Sequence, residues 1–293
     1  MKNINVISIT GIFAALVVAV LIGLAGSQGS ILTAGIPLFL LCGCISFAIN
    51  WLIFIPAWLK QSEHFFDLTG SITYVSLISL VLLVKPEIDL RSVLIAGMVG
   101  IWAIRLGTFL FFRIQKAGFD RRFNKMKTIF WQFLMTWTIQ WLWVFITLAA
   151  ALAAMTSSKS EPLGLFAAVG GLMWLVGFSI EVVADKQKTL FRSVPENNSR
   201  FINSGLWAWS RHPNYFGEIL LWLGIAVIAF PVLSGWQYVT LISPVFVFVL
   251  LNYISGVRML ETRADRQWGE DPEYQAYKAN TPALMLLPPS ANS

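Results

Sequence analysis

Charge is what this chain of 293 residues has least of: Asp, Glu, Lys and Arg together make up 12% of it, about half of the roughly 25% carried by an average soluble domain. With 57% of residues hydrophobic, a water-soluble globule is excluded. Cysteine is scarce too. The only two, Cys42 and Cys44, lie inside one apolar run on different faces of a helix, and read as small apolar residues that imply neither a disulfide nor a metal. The chain has no low-complexity tract, no long linker and no convincing internal repeat. It also lacks a G-x-G-x-x-G after a strand and a G-x-x-x-x-G-K-[ST], so any nucleotide must be held without a Rossmann or P-loop scaffold.

What is present is a succession of apolar runs near 5–26, 33–58, 66–84, 92–112, 129–152, 163–184, 215–232 and 236–256, each about the roughly 20 residues that cross a bilayer as a helix. In hydrocarbon each helix pairs its own backbone amides. The pattern therefore predicts an all-α integral membrane protein, a bundle of about eight (seven to eight) transmembrane helices. No A-x-A-like cleavage site follows the first run, so it is read as a retained helix. With both termini in the cytoplasm, seventeen Lys and Arg fall in loops on that side, concentrated at 113–127, 186–211 and 258–278. Only Lys85, Arg91 and Lys159 fall on the other, as the positive-inside bias requires. The polar tail from Glu261 predicts a short amphipathic helix stopped by Pro282, Pro288 and Pro289. Residues 1–60 read as N-terminal membrane helices almost without polar features, and 61–293 as the part that carries function.

Ionisable groups inside spans are costly and mark functional positions. Arg105 sits within the fourth span, and Arg113, eight residues on, shares nearly the same face; the two could lead an anion inward or serve as structural ion pairs. Glu181 and Asp185 are four apart on one face of the sixth span. In "GLWAWSRHPNYFGEILLW", residues 205–222, Arg211, His212, Asn214, Tyr215 and Glu218 crowd the start of the seventh span. A capping role for Asn214 and a dipole role for Glu218 account for two of these. They do not account for the rest. A helix N-terminus flanked by Arg211 suits a phosphate, and several basic segments on one side suit a ligand with more than one.

Together "DLTG" at 67–70, "RLGTFLFFRI" at 105–114, "DRRF" at 120–123, "EVVADKQKTLFR" at 181–192, the 205–222 stretch and Tyr274, Tyr277 and Pro282 resemble the bacterial membrane-protein branch of the steroid 5-alpha-reductase family, over residues from about 60 to 290. The resemblance implies a multi-helix membrane enzyme that binds NADPH in a cytoplasm-facing cavity and reduces a carbon–carbon double bond conjugated to a carbonyl. Asp185, Arg192, Asn214, Glu218, Arg105 and Arg258 match positions that hold the cofactor, and His212 and Tyr215 match this branch's version of the motif. A 2′-phosphate is best held by guanidinium groups, in agreement with the many arginines.

The proton donor departs from the family pattern. Asp67 lies nearest the position where the family has Glu, and Trp102 stands where a Tyr is expected. Glu63, Asp67 and Tyr74, at spacings of four and seven, are the candidates for catalysis. A desolvated Asp67 could keep a raised pKa and donate a proton, or it could cap the third span.

The expected activity is an NADPH-dependent reduction of a lipid-soluble enone that enters from the bilayer, in a bacterial inner membrane, with membrane lipids as neighbours. No metal, nucleic acid or obligatory protein partner is called for. Two other readings stay open: an S-adenosylmethionine-dependent methyltransferase of the isoprenylcysteine or phospholipid type, which carries a similar R-H-P-x-Y, and a non-catalytic lipid-binding protein.

Overall fold

The computed structural model describes residues 2–118 and 123–288; Asp120, Arg121 and Arg122 of the "DRRF" stretch, and Pro289, lie outside them. The protein is an all-α integral membrane protein: eight helices among the described residues are long and apolar enough to cross a bilayer. They comprise α1 (Lys2–Ser27), α2 (Leu38–Leu59), α3 (Phe66–Val84), α4 (Leu90–Ala117), α5 (Phe130–Thr156), α6 (Leu165–Ser193), α7 (Pro213–Ala229) and a broken last span. The last span runs from Gly235 to Trp268 and contains α8 (Ile242–Val249), a π turn (Leu250–Ile254) and α9 (Val257–Trp268); α10 (Pro272–Asn280) follows.

Several boundaries differ from the sequence reading. The second span starts at Leu38 rather than at 33, because strands β1 (Leu32–Thr33) and β2 (Ile36–Pro37) pair antiparallel about Ala34 and Gly35, both at positive φ, as a two-residue hairpin turn requires. The sixth helix continues to Ser193, well beyond its apolar run. The tail forms two short helices in place of one: Gly269 ends α9, and Asp271, whose side chain accepts from the Glu273 amide, starts α10.

The chain divides into two compact units, Met1–Ala167 with Ile228–Ser243, and Ala168–Val227 with Pro244–Ser293. In the first, α3 packs on α4, and α1 and α2 pack on α5. Helix α5 is the axis of that unit: 83% of its span is buried, where every other span leaves half or more of its residues uncovered. Around one end of α5, Phe54, Phe123, Phe133, Leu134 and Trp137 form a closed apolar cluster.

A polar clasp holds the loops of the first unit. Arg91, counted from sequence as a loop cation, is 3% exposed and donates to the carbonyls of Ile228 (2.6 Å), Pro162 (2.9 Å) and Glu161 (3.3 Å). Ser157 Oγ donates to Val232 O at 2.8 Å, and Lys159 Nζ to Pro231 O at 2.8 Å. Backbone carbonyls that helices do not satisfy find partners in these side chains, as buried polar groups must.

In the second unit α6 and α7 run antiparallel and meet at glycines. A Cβ on Gly217 would lie 2.5 Å from Gly177 O, and one on Gly224 would lie 2.5 Å from Gly170 O. Seven-residue spacing on both helices keeps these four glycines in one seam, and small residues at a seam let membrane helices approach closely.

Candidate functional site

The candidate residues fall into both units. In the first, α3 begins at Phe66, with Phe65 as its N-cap and no side-chain cap. Asp67 therefore lies in the first turn and does not cap the helix. Glu63 precedes the helix, its carbonyl accepting from Phe66 N at 2.9 Å, so the single helical face predicted for Glu63, Asp67 and Tyr74 holds only for the last two. Glu63 is 4% exposed and accepts from Lys127 Nζ at 2.7 Å, a pairing that a buried carboxylate needs in order to stay ionised.

Asp67 Oδ2 lies 4.0 Å from Arg113 Nη2. Tyr74, 5% exposed, sets its ring edge-on to Trp102 with centroids 5.2 Å apart. The Trp found at the expected Tyr position thus contacts a tyrosine from the neighbouring helix. Arg105 lays its guanidinium over the Phe109 ring, one turn further along α4, at 5.6 Å.

In the second unit the glycine seam brings the C-terminal end of α6 beside the start of α7. Glu181 and Asp185 are buried, at 2% and 9% exposure, and Asn214 Nδ2 donates to Asp185 Oδ1 at 3.3 Å. The capping alternative for Asn214 is therefore set aside, since its amide reaches across to α6. Helix α7 opens instead with Pro213, whose missing N–H would have had no partner in the first turn. Tyr215 stacks on His212 with centroids 5.6 Å apart, and Glu218 lies one turn further on.

Beside this pair is a cavity of about 470 Å³, lined by residues of α6, the 198–212 segment, α9 and α10, within the usual size range of small-molecule sites. Its charged lining is unequal: Lys188, Arg192, Arg211 and Arg263 against the single carboxylate of Glu261. Its walls are aromatic, with Phe201, Trp207, Trp268, Tyr274 and Tyr277. Lys188 Nζ lies 4.6 Å over the Trp207 ring, and the Arg192 guanidinium 5.8 Å over Trp268. The Arg192 Nη1 also donates to the carbonyls of Asn197 and Asn198, at 3.1 and 3.2 Å, which fixes its direction.

Arg211 sits differently from the phosphate-binding role predicted for it. Its Nε and Nη2 each donate to Glu261 at 3.0 Å, and its Nη1 donates to the carbonyls of Lys278 and Thr281. The guanidinium thus ties the tail to the start of α7. His212 Nε2 lies 2.9 Å from Glu261 Oε1. A carboxylate can only accept, so Nε2 carries the hydrogen, while the buried Nδ1 has no hydrogen-bond partner. Burial holds the His212 pKa below its ordinary value; the bond to Glu261 works in the opposite sense and is outweighed, and the charges of Lys188 and Arg211 add to the lowering.

Tyr277 OH donates to Trp207 O at 2.6 Å and Tyr274 OH to Asp265 Oδ1 at 3.1 Å. Burial, first, raises the pKa of both phenols and keeps them as donors.

Of the predicted cofactor residues, Arg192, Arg211 and His212 line the cavity, Asp185 and Asn214 form the adjacent pair, and Arg258 is exposed outside the lining. Sequence reasoning missed Lys188, Glu261 and Arg263. The available signal for Glu261 was an acid one turn into a polar helix, which also suits a solvated face.

Residues 53–281 match the model of a family described as "Protein of unknown function (DUF1295)". An 82-residue stretch, 28% of this chain, is 29% identical to 3-oxo-5-alpha-steroid 4-dehydrogenase 1 of Bos taurus, and the chain spans 30% of that relative's length. No solved structure matches the chain. With more than half of its length matched, the chain belongs to the DUF1295 family.

Proposed function

We propose that this member of the DUF1295 family is an NADPH-dependent membrane reductase acting on a lipid-soluble substrate with a carbon–carbon double bond conjugated to a carbonyl. The observation that carries the reading is the cavity of the second unit, with four cations to one carboxylate and five aromatic side chains. Phosphates need the former and planar bases the latter. The local similarity to a steroid dehydrogenase points the same way.

The residues present fit a phosphorylated nucleotide. Lys188 and Arg192 would hold phosphate, the aromatic walls a base, and Asp185 and Asn214 polar groups of the same ligand. Arg105, Arg113, Tyr215, Glu218 and Arg258 are the further cofactor positions carried over from the family resemblance. When bound, NADPH supplies hydride. The chain supplies the proton and the stabilisation of charge on the substrate oxygen, and Asp67 and Tyr74, on one face of α3, are the groups proposed for it. Glu63, already held by Lys127, has a structural part. The site is proposed to face the cytoplasm of a bacterial inner membrane, with both termini on that side.

The test uses detergent-purified protein with NADPH, NADH and S-adenosylmethionine in thermal-shift measurements, since a ligand bound only by the folded state raises its apparent stability. Stabilisation by NADPH, followed by NADPH oxidation in the presence of an enone, supports the reading. Stabilisation by S-adenosylmethionine alone replaces it with methyl transfer. Stabilisation by none leaves a lipid-binding protein.

A further inference from the structure

After α10 the chain runs through "TPALMLLP", residues 281–288, in neither helix nor strand. This tail is bonded along its length. Arg211 N donates to Pro282 O at 2.9 Å, Leu287 N to Trp209 O at 3.1 Å, and Ser210 Oγ to Leu284 O at 3.0 Å. Falling residue numbers on one side meet rising numbers on the other, so the tail lies antiparallel along 209–211. Five apolar residues in succession, 283–287, are thereby laid beside the segment that leads into α7.

What this arrangement leaves uncovered is apolar. Met285 is 58% exposed, Leu287 54% and Trp209 44%, and the backbone bond between Leu287 and Trp209 makes those two neighbours. Such a patch is costly in water and marks an interaction surface. Its place identifies the partner. Trp209 stands four residues before Pro213, where a span long and apolar enough to cross a bilayer begins, so at most about 14 Å of chain separates them. Tryptophan, with an apolar ring and a single N–H donor, gathers at that level of a membrane. Backbone groups entering such a zone need partners. Pro282 and Pro288 bring no N–H, the Leu287 amide is bonded, and the carbonyls of Pro282 and Leu284 accept.

We propose that Trp209, Met285 and Leu287 form an interfacial anchor lying in the headgroup layer of the bilayer, with phospholipid as its occupant. The anchor continues the membrane-facing surface of the span that starts at Pro213. The tail is then held twice, by 209–211 on one side and by lipid on the other. The anchor includes no residue that lines the cavity, and it does not depend on the reductase reading.

The experiment places an environment-sensitive nitrobenzoxadiazole label at Met285→Cys or Leu287→Cys, in a full chain carrying Cys42→Ala and Cys44→Ala, reconstituted in phosphatidylcholine nanodiscs. Glu270→Cys, exposed between α9 and α10, is the comparison. Labels at 285 and 287 should emit at shorter wavelength than the label at 270. Lipids with a nitroxide near the headgroup should quench them several-fold more strongly, and aqueous iodide should show the opposite order. Equal quenching at all three positions overturns the anchor. Protection from iodide without quenching by lipid, together with disulfide-linked dimers of the unlabelled Met285→Cys chain, overturns it in favour of a second copy.

A photoactivatable phosphatidylcholine, with its carbene precursor near the glycerol, tests the unaltered protein and so holds even where a variant does not fold. It should label the peptide containing 283–288. Label on the membrane spans but none on that peptide overturns the proposal.

Discussion

Gly177 and Gly217 meet backbone to backbone, so closely that a Cβ built on either falls within 2.5 to 2.6 Å of the other's carbonyl oxygen. From that contact the same face of α6 runs on through the buried Glu181 to Asp185. On the facing helix Asn214 stands one turn before Gly217, and its amide donates to Asp185 at 3.3 Å.

Gly217→Ala and Gly177→Ala should each force the two helices apart, at about 1–3 kcal/mol for an overpacked contact, and lower the thermal midpoint in detergent. Gly97→Ala is the control. A Cβ there meets nothing within 4 Å, and alanine is the better helix former. Equal midpoints for all three variants would show that the seam does not set the helix separation.

Asn214→Ala and Asp185→Asn should weaken NADPH binding by about tenfold or more, the worth of a hydrogen bond to a polar ligand group in a closed site, and Asn214→Ala should also lower the thermal midpoint of the ligand-free protein, because the buried Asp185 carboxylate loses a donor. Both effects are read from one set of thermal melts with and without nucleotide. A melt shift by NADPH that survives Asn214→Ala places the ligand elsewhere.

His212 has a definite pH signature. Burial lowers its pKa from 6.5, so below that value the unfolded chain takes up a proton that the folded chain refuses. The resulting stability is present in full above about pH 6.5 and declines as pH falls below it. Melts between about pH 8 and pH 5 should show that decline, and His212→Gln should flatten it.

Arg91 donates to three carbonyls, of Glu161, Pro162 and Ile228. Arg91→Met should cost about 3 kcal/mol or more, because acceptors lose charged donors in a buried place. Arg91→Lys should restore little, as an ammonium cannot span the same fork of acceptors. Recovery of the full thermal midpoint by lysine would argue that charge alone matters there.

Asp67→Asn should abolish turnover and preserve NADPH binding, which separates proton donation from cofactor holding. Glu63→Gln should instead lower stability, since Lys127 would lose the carboxylate that pairs with it at 2.7 Å. Turnover unaffected by Asp67→Asn removes this residue from the chemistry.

The helices are legible in the sequence because membrane spans are written in composition: long apolar runs with few charges leave little choice of structure. Departures occur where pairing at a distance decides. The hairpin about Ala34 and Gly35 trims the second span, and loop carbonyls some 70 and 137 residues away draw Arg91 out of solvent. In the site, Arg192, His212 and Asn214 can be assigned to one region from sequence, because each stands in a dense polar stretch. Glu261 cannot, since its tie to Arg211 bridges 50 residues. For the same reason Arg211 reads from sequence as an anion-binding group, when its acceptors come from the far end of the chain.

The π turn at Leu250–Ile254 holds one residue more than an α turn would use, and Gly256 after it has no room for a Cβ beside Leu251 O and the Tyr215 ring. The surplus residue acts as an angular offset for everything that follows. Deleting one residue from 250–254 would let that helix close regularly, and all that follows, α9 included, would then turn by about 100° about the axis of α8, carrying Glu261 away from Arg211 and His212. The orientation of the cavity's charged wall is thus encoded in a count of residues a full helical turn or more upstream of it, in a segment with no charge of its own.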